Sequence, residues 1–160
     1  MPCHKFLPLP ELAARIGADK KLGKTIVLAN GGFDLIHVGH IRYLQQAKAK
    51  GDILVVALNS DRSLKKLKGA ARALIDERGR VMIISALACV DYVTLFDESR
   101  VDRVLQAIQP DFHCKGSDYT LESIPERDIV LSYGGALAIV GGEKVRSTSI
   151  IIAKIKEIYG

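Results

Sequence analysis

The chain has 160 residues, 48% of them apolar and 26% charged, with a formal net charge of +5 and three cysteines. A chain of this length forms one domain that buries about two-thirds of its unfolded surface, while Cys3, Cys89 and Cys114 form no C-x-x-C pair, which argues against a disulfide framework or a zinc centre. The positive excess favours anionic partners, but with no tryptophan, 6% aromatics and no arginine-rich tract there is no stacking platform for a nucleic-acid strand.

The opening MPCHKFLPLP is broken by prolines and holds no long apolar run, unlike a secretory signal. Nothing approaches the ~18 apolar residues of a membrane span, so no membrane association and a reducing, cytoplasmic setting are expected. Leu12, Ala13 and Ile16 predict a short helix before Gly23, an N-terminal extension over 1–23 ahead of a core over 24–160. TIVLAN, 25–30, reads as a strand. VGHIRYLQQAKAK, 38–50, reads as a helix carrying Val38, Ile41 and Leu44 and stopped by Gly51. DILVVALN, 52–59, is a second buried strand, KKLKGAARA, 65–73, a basic loop, and the stretch from about Arg78 to Cys89 a helix. DYVTLF, 91–96, gives a third strand. VDRVLQAIQ is a helix closed by Pro110, and DFHCKG a fourth strand running into a loop. A short helix from Glu126 to Ser132 precedes ALAIV, 136–140, the fifth strand. STSIIIAKIKEIY then sets Ile151, Ile155 and Ile158 on one face of a terminal helix. Strands and helices at this rhythm predict an α/β domain, a five-stranded parallel sheet with helices on both faces, whose ligands bind at the carboxyl ends of the strands.

At the first such end stands GGFDLIHVGH, 31–40. Gly31 and Gly32 let the chain turn tightly and let an anion reach main-chain N–H groups, while the helix that follows offers the positive end of its dipole. His37 and His40, three apart, share one side of the first turn, and Gly39 leaves room between them for a phosphate to which both rings can donate N–H. A lone histidine here would more often be a packed or capping residue. The pair, with Gly39 and the preceding glycines, favours a phosphate site; a metal site would need a third ligand that the sequence does not offer.

GGFDLIHVGH resembles the H-x-G-H signature of the nucleotidyltransferase superfamily that includes the cytidylyltransferases. In the same order, NSDRSLKKLKGAARALI, RVMIISALACVDYV, the KGSDY of 115–119 and RSTSII resemble the adenylyltransferase domain that makes ADP-heptose from heptose 1-phosphate. The likeness runs from Lys24 to Ile158. H-x-G-H alone names the superfamily, whereas NSD, LKG and KG-x-DY narrow it to the heptose branch. What the resemblance implies is a single Rossmann-like domain, ATP as co-substrate, Mg²⁺, pyrophosphate as product and a homodimer. Gly32 stands where a cysteine is common, Ala73 where a proline commonly follows Arg72, and Ser117 where a second glycine is usual, so the sugar is less firmly marked than the reaction. The family's bifunctional members carry a sugar kinase domain, which 160 residues do not hold, so a separate kinase is expected to supply the substrate.

The resemblance also sorts the remaining candidates. It places Asn30, Gly31, Gly32, Phe33, Asp34 and Gly39 around the nucleotide, together with Lys115, Gly116 and Asp118 past the fourth strand. Asp34 either holds magnesium or fixes a turn through backbone N–H groups, and Asp118 either accepts sugar or ribose hydroxyls or makes an Asx turn. Arg146, Ser147 and Thr148 would hold the leaving β- and γ-phosphates; plain capping explains the hydroxyls but not the arginine. Lys48, on a similar helix face to His40, is a phosphate contact or a solvated lysine. Arg72 would clasp the sugar phosphate, and Arg80 would contact substrate or cap its helix. No G-x-x-x-x-G-K-[ST] and no G-x-G-x-x-G is present, which disfavours a P-loop phosphotransferase and a dehydrogenase. The expected chemistry is direct attack of the sugar phosphate on the α-phosphorus of ATP. A cytidylyltransferase acting on glycerol phosphate or a related alcohol phosphate is the alternative, and a nucleotide-binding regulator without turnover is a second.

Overall fold

The computed structural model describes residues 4–68, 74–142 and 148–160. Helix α1 (Leu9–Lys21) leads into β1 (Ile26–Gly31), α2 (Val38–Lys48), β2 (Ile53–Asn59), α3 (Asp61–Lys68) and α4 (Glu77–Ser85). There follow β3 (Tyr92–Phe96), α5 (Asp102–Ile108), β4 (Phe112–Gly116), α6 (Arg127–Ser132), β5 (Ala136–Val140) and α7 (Thr148–Tyr159). The strands form one parallel five-stranded sheet in the order β3-β2-β1-β4-β5, with Ile26 opposite Ile53, Val55 opposite Tyr92, and Leu28 opposite His113. The α/β architecture expected from the alternating pattern is the one observed.

The central strands are continuous apolar runs because both their faces are covered. β2 is buried at every residue. Side chains alternate between faces: Val27, Ala29, Leu54 and Val56 pack with Leu44 of α2 and Ile84 of α4, while Ile26, Leu28, Val55 and Ala57 pack with Leu12 and Ile16 of α1 and with Leu105 and Ile108 of α5. The chain winds outward from β1 through β2 to β3, then returns to lay β4 on the other side of β1. That reversal opens a crevice at the carboxyl ends of β1 and β4, the position at which such sheets bind ligands.

The helix expected before Gly23 is present, and two other expectations change. The N-terminal helix is part of one core layer, since Leu12 and Ile16 are buried and Leu7 N–H donates to the Val93 carbonyl at 2.9 Å. Residues 65–68 of the basic segment are helical: the hydroxyl of Ser60 accepts from Ser63 N–H at 3.1 Å, a capping bond, and Leu64 packs inward, while Lys65 and Lys66 are exposed on the outer face of α3. The rest of that segment, 69–73, lies outside the described residues. Helix α4 ends at Ser85, short of Cys89, and a turn through Leu87 carries the chain to the buried Val90. In α7, Ile151 is half-buried while Ile155 and Ile158 are exposed.

Candidate active site

At the end of β1 the two glycines are closely packed, so a side chain at either position would have to displace a neighbour. A Cβ on Gly31 would meet the Phe33 ring at 3.1 Å, and one on Gly32 would meet Leu64 Cδ2 at 2.7 Å, so Leu64 occupies the space beside residue 32. Phe33 takes a left-handed backbone, φ 50°, which costs a non-glycine residue on the order of 1 kcal/mol. Its buried ring compensates by packing 6.3 Å from that of Tyr43 and 5.2 Å from that of His40. The turn then delivers His37 as the N-cap of α2, its Nδ1 accepting from Gly39 N–H at 3.1 Å. The capping role weighed against a functional one is thus real, and it has a consequence. With Nδ1 accepting, the proton of the neutral ring sits on Nε2, which is left as a donor. Partial burial holds the His37 imidazole below its usual value, keeping it neutral. The His40 ring lies 3.9 Å from it, centroid to centroid, at 31°.

Both imidazoles open onto a cavity of about 880 Å³ over the carboxyl ends of the strands. Asn30, Gly31, Gly32, Phe33, Asp34 and Gly39 line it from β1 and its turn; Lys115, Gly116 and Asp118 line it from β4; Thr148 lines it from the start of α7. The structure therefore brings the histidine pair and the amino end of the closing helix to one chamber. Arg72, Arg146 and Ser147 lie outside the described residues. Lys115 is only 7% exposed and lies 3.2 Å from the buried carboxylate of Glu126. Burial holds its ammonium below the ordinary lysine value, with Glu126 pulling the other way.

Two predicted contacts are not brought to the chamber. Lys48 pairs with Asp91 at 2.6 Å and with the Asp52 carbonyl, at the amino ends of β2 and β3, because the C-terminus of α2 points away from the cavity that its N-terminus faces. Arg80 is fully buried. Its guanidinium donates to the carbonyls of Gly32 and Asn59 at 2.8 Å each and of Ile75 at 3.1 Å, and pairs with Asp61 at 2.6 Å. It braces the glycine turn and the end of β2 from beneath instead of meeting a substrate. Asp34 also works on main chain, its carboxylate accepting from Leu74 N–H at 3.0 Å and Ile75 N–H at 2.9 Å.

Other lining groups escaped the sequence reading. Asn59 ends β2, Ser99 and Arg100 follow β3, and Tyr119 and Glu126 flank Lys115. Asn59 and Tyr119 stand in the NSD and KG-x-DY segments, which the sequence reading used only for the family likeness; Ser99, Arg100 and Glu126 sit in no recognisable motif, and for Ser99 and Arg100 the available signal was position just past a strand end. Among the described residues no group of three or more His, Cys, Asp or Glu side chains has metal-binding geometry. Burial pushes the Cys114 thiol up to about 11 and also raises Cys89, so neither is a poised nucleophile.

Residues 28–157, from within β1 almost to the end of α7, match the model of the cytidylyltransferase-like family. The chain belongs to the cytidylyltransferase-like family. Over 156 residues it is 49% identical to the bifunctional protein HldE of Geobacter metallireducens, covering 98% of this chain and 32% of that protein. Against the bifunctional protein HldE of Helicobacter pylori it is 42% identical over 155 residues, again covering 32% of the relative. The chain spans about a third of the length of these curated relatives. The crystal structure of the lipopolysaccharide core biosynthesis protein from Thermoplasma volcanium superimposes with a TM-score of 0.60 at 32% identity, covering 73% of this chain and 94% of that one. The family likeness read from H-x-G-H and KG-x-DY therefore holds over the whole cytidylyltransferase-like core. Among the described residues of this family member, no helix is long and apolar enough to cross a membrane.

Proposed function

We propose that the protein transfers AMP from ATP to a heptose 1-phosphate, releasing pyrophosphate and forming ADP-heptose. The observation that carries this reading is the common chamber: both imidazoles of the α2 turn and the first residue of α7 line one cavity. Support comes also from the motif resemblance and from the relatives named HldE. In this reading the α-phosphate rests against His37 and His40, whose ring N–H groups donate to its oxygens. The β- and γ-phosphates extend to Thr148 at the positive end of α7, with Arg146 and Ser147 completing that site.

The anomeric phosphate oxygen attacks the α-phosphorus and pyrophosphate leaves in line, so no enzyme nucleophile is required. Aligning two anions supplies up to ~7–11 kcal/mol of barrier lowering, and donors fixed before reaction stabilise charge as it grows on the α-phosphate oxygens. A neutral His37 suits this task, because it offers Nε2–H without exchanging a proton. Magnesium would neutralise phosphate charge. Asp34 retains lone pairs beyond its two main-chain bonds and is the carboxylate expected beside the ion, with nucleotide oxygens and water making up the remaining ligands. A cytoplasmic homodimer is the expected state, checked by sedimentation and by cell fractionation.

The deciding experiment incubates the protein with magnesium, ATP or CTP, and a panel of sugar and alcohol phosphates, then measures pyrophosphate. Release with ATP and heptose 1-phosphate is expected to exceed every other combination. Release only with CTP and glycerol phosphate would move the protein to the alcohol-phosphate reading, and nucleotide binding without release would make it a regulator.

A further inference from the structure

Beneath the floor of the cavity runs a polar chain that the mechanism above leaves unused. His113 on β4 is fully buried, and its Nε2 stands 3.1 Å from Oδ1 of Asn30. Lys115, two residues along the strand and so on the same face of the sheet, donates from Nζ to the same Oδ1 at 3.1 Å and is backed by Glu126. An ammonium has donors only, so the Asn30 atom that faces it is the carbonyl oxygen. Since Nε2 of His113 faces that same oxygen, Nε2 carries its hydrogen and Nδ1 is bare, which agrees with Nδ1 being buried without a hydrogen-bond partner among the described residues. The two donors fill both lone pairs of the oxygen. The NH₂ group of Asn30 is consequently on the opposite side of a planar amide, and Asn30 lines the cavity. Burial, aided by the charge of Lys115, holds the His113 imidazole at about 3, so this arrangement does not change across the neutral range.

An asparagine with a free oxygen would turn an acceptor as readily as a donor toward an incoming anion. Saturating the oxygen from behind removes the repulsive orientation before any ligand arrives. We propose that Asn30 is a directed hydrogen-bond donor to a phosphate oxygen at the point of transfer, and that His113 is the positioning residue that, with Lys115, holds its amide in that single orientation. This rests on the adenylyl-transfer reading and refines it. The oxygen belongs to the α-phosphate of the nucleotide or to the phosphate of the acceptor, two sources of one chemistry that kinetics separates.

The test compares Asn30→Asp, His113→Leu and His113→Gln with the parent in pyrophosphate release from ATP and heptose 1-phosphate, alongside thermal unfolding. Asn30→Asp keeps the shape and the oxygen that meets His113 and Lys115 but replaces the donor with a second oxygen; kcat/KM is expected to fall about 10- to 100-fold, with unfolding at or above the parent's temperature. A raised KM for ATP alone assigns the oxygen to the nucleotide, a raised KM for the sugar phosphate alone assigns it to the acceptor, and a loss in kcat alone means that the bond tightens only in the transition state. His113→Leu is expected to lower kcat/KM about 3- to 10-fold, and His113→Gln, which retains an N–H donor, to return it to within about twofold. A purely packing role predicts the reverse order, because leucine suits the buried setting better than glutamine. Asn30→Asp within about threefold of the parent overturns the donor, and His113→Gln no better than His113→Leu overturns the positioning role. Should His113→Leu fail to fold, Asn30→Asp still decides the donor, and His113→Gln read against the parent decides the positioning role, a loss of more than about tenfold overturning it. A parent that neither binds ATP in a calorimetric titration nor releases pyrophosphate defeats the functional reading and this proposal with it; an active parent matched by Asn30→Asp defeats this proposal only.

Discussion

The polar groups around this cavity fall into two sets that use similar chemistry to opposite ends. His37 and His40 line the chamber, on a helix turn whose side chains project past the sheet. His113 and Arg80 lie sealed beneath it, one within β4 and one under the glycine turn, and each reaches main-chain or side-chain groups of other elements. An imidazole at a helix N-terminus keeps a donor for a ligand, whereas one inside a parallel sheet has only the protein to bond with. Removing a member of the first set is therefore expected to cost turnover, and removing one of the second to cost stability or orientation first.

Arg80→Leu offers the largest effect. It strands the carbonyls of Gly32 and Asn59 and the Asp61 carboxylate, and should destabilise the fold by about 3–5 kcal/mol in urea unfolding. His40→Ala should instead lower turnover by about 10²–10³ with little change in unfolding, by analogy with the loss of one oxyanion donor; turnover within a few-fold of the parent would remove His40 from the mechanism. His113 sharpens the contrast through pH. Its folded value of about 3 lies below the unfolded 6.5, so in acid the unfolded chain takes up the proton first. The stabilisation from keeping it neutral is complete above 6.5 and drains away as pH falls toward 3, by up to about 1.4 kcal/mol per pH unit. Unfolding of the parent and of His113→Leu between pH 7 and 4 should show this slope in the parent and a shallower one in the variant. Smallest is Lys48→Ala: with its partly exposed pair to Asp91 lost, stability should fall by about 1 kcal/mol or less, and pyrophosphate release should stay within about twofold of the parent. A hundredfold loss there would return Lys48 to the mechanism and break the division.

Four of the five strands were legible because each is a short β-branched or apolar run between helical periods, β4 (FHCKG) by its place in that alternation, and the glycine–histidine turn because its residues are adjacent in the chain. Helix α3 was not, since the run of lysines in the sequence hides the inward Leu64 and the capping Ser60 that make it helical. Lys48 and Lys115 illustrate the harder failure. Periodicity placed Lys48 on a face similar to that of His40, but the face does not say how far along the axis a residue lies, and at about 1.5 Å per residue Lys48 is two turns from the cavity. Lys115 reaches Asn30 across 85 positions only because β4 returns beside β1.

By itself the chain determined its class, its sheet and the turn that meets an anion, because those follow from patterns within one element or between its immediate neighbours. Which charges are sealed and which are offered to a ligand was decided only by the tertiary structure. Burial and hydrogen-bond satisfaction depend on which distant strands become neighbours, and the order β3-β2-β1-β4-β5 is what sets Asn30, His113 and Lys115 against one another.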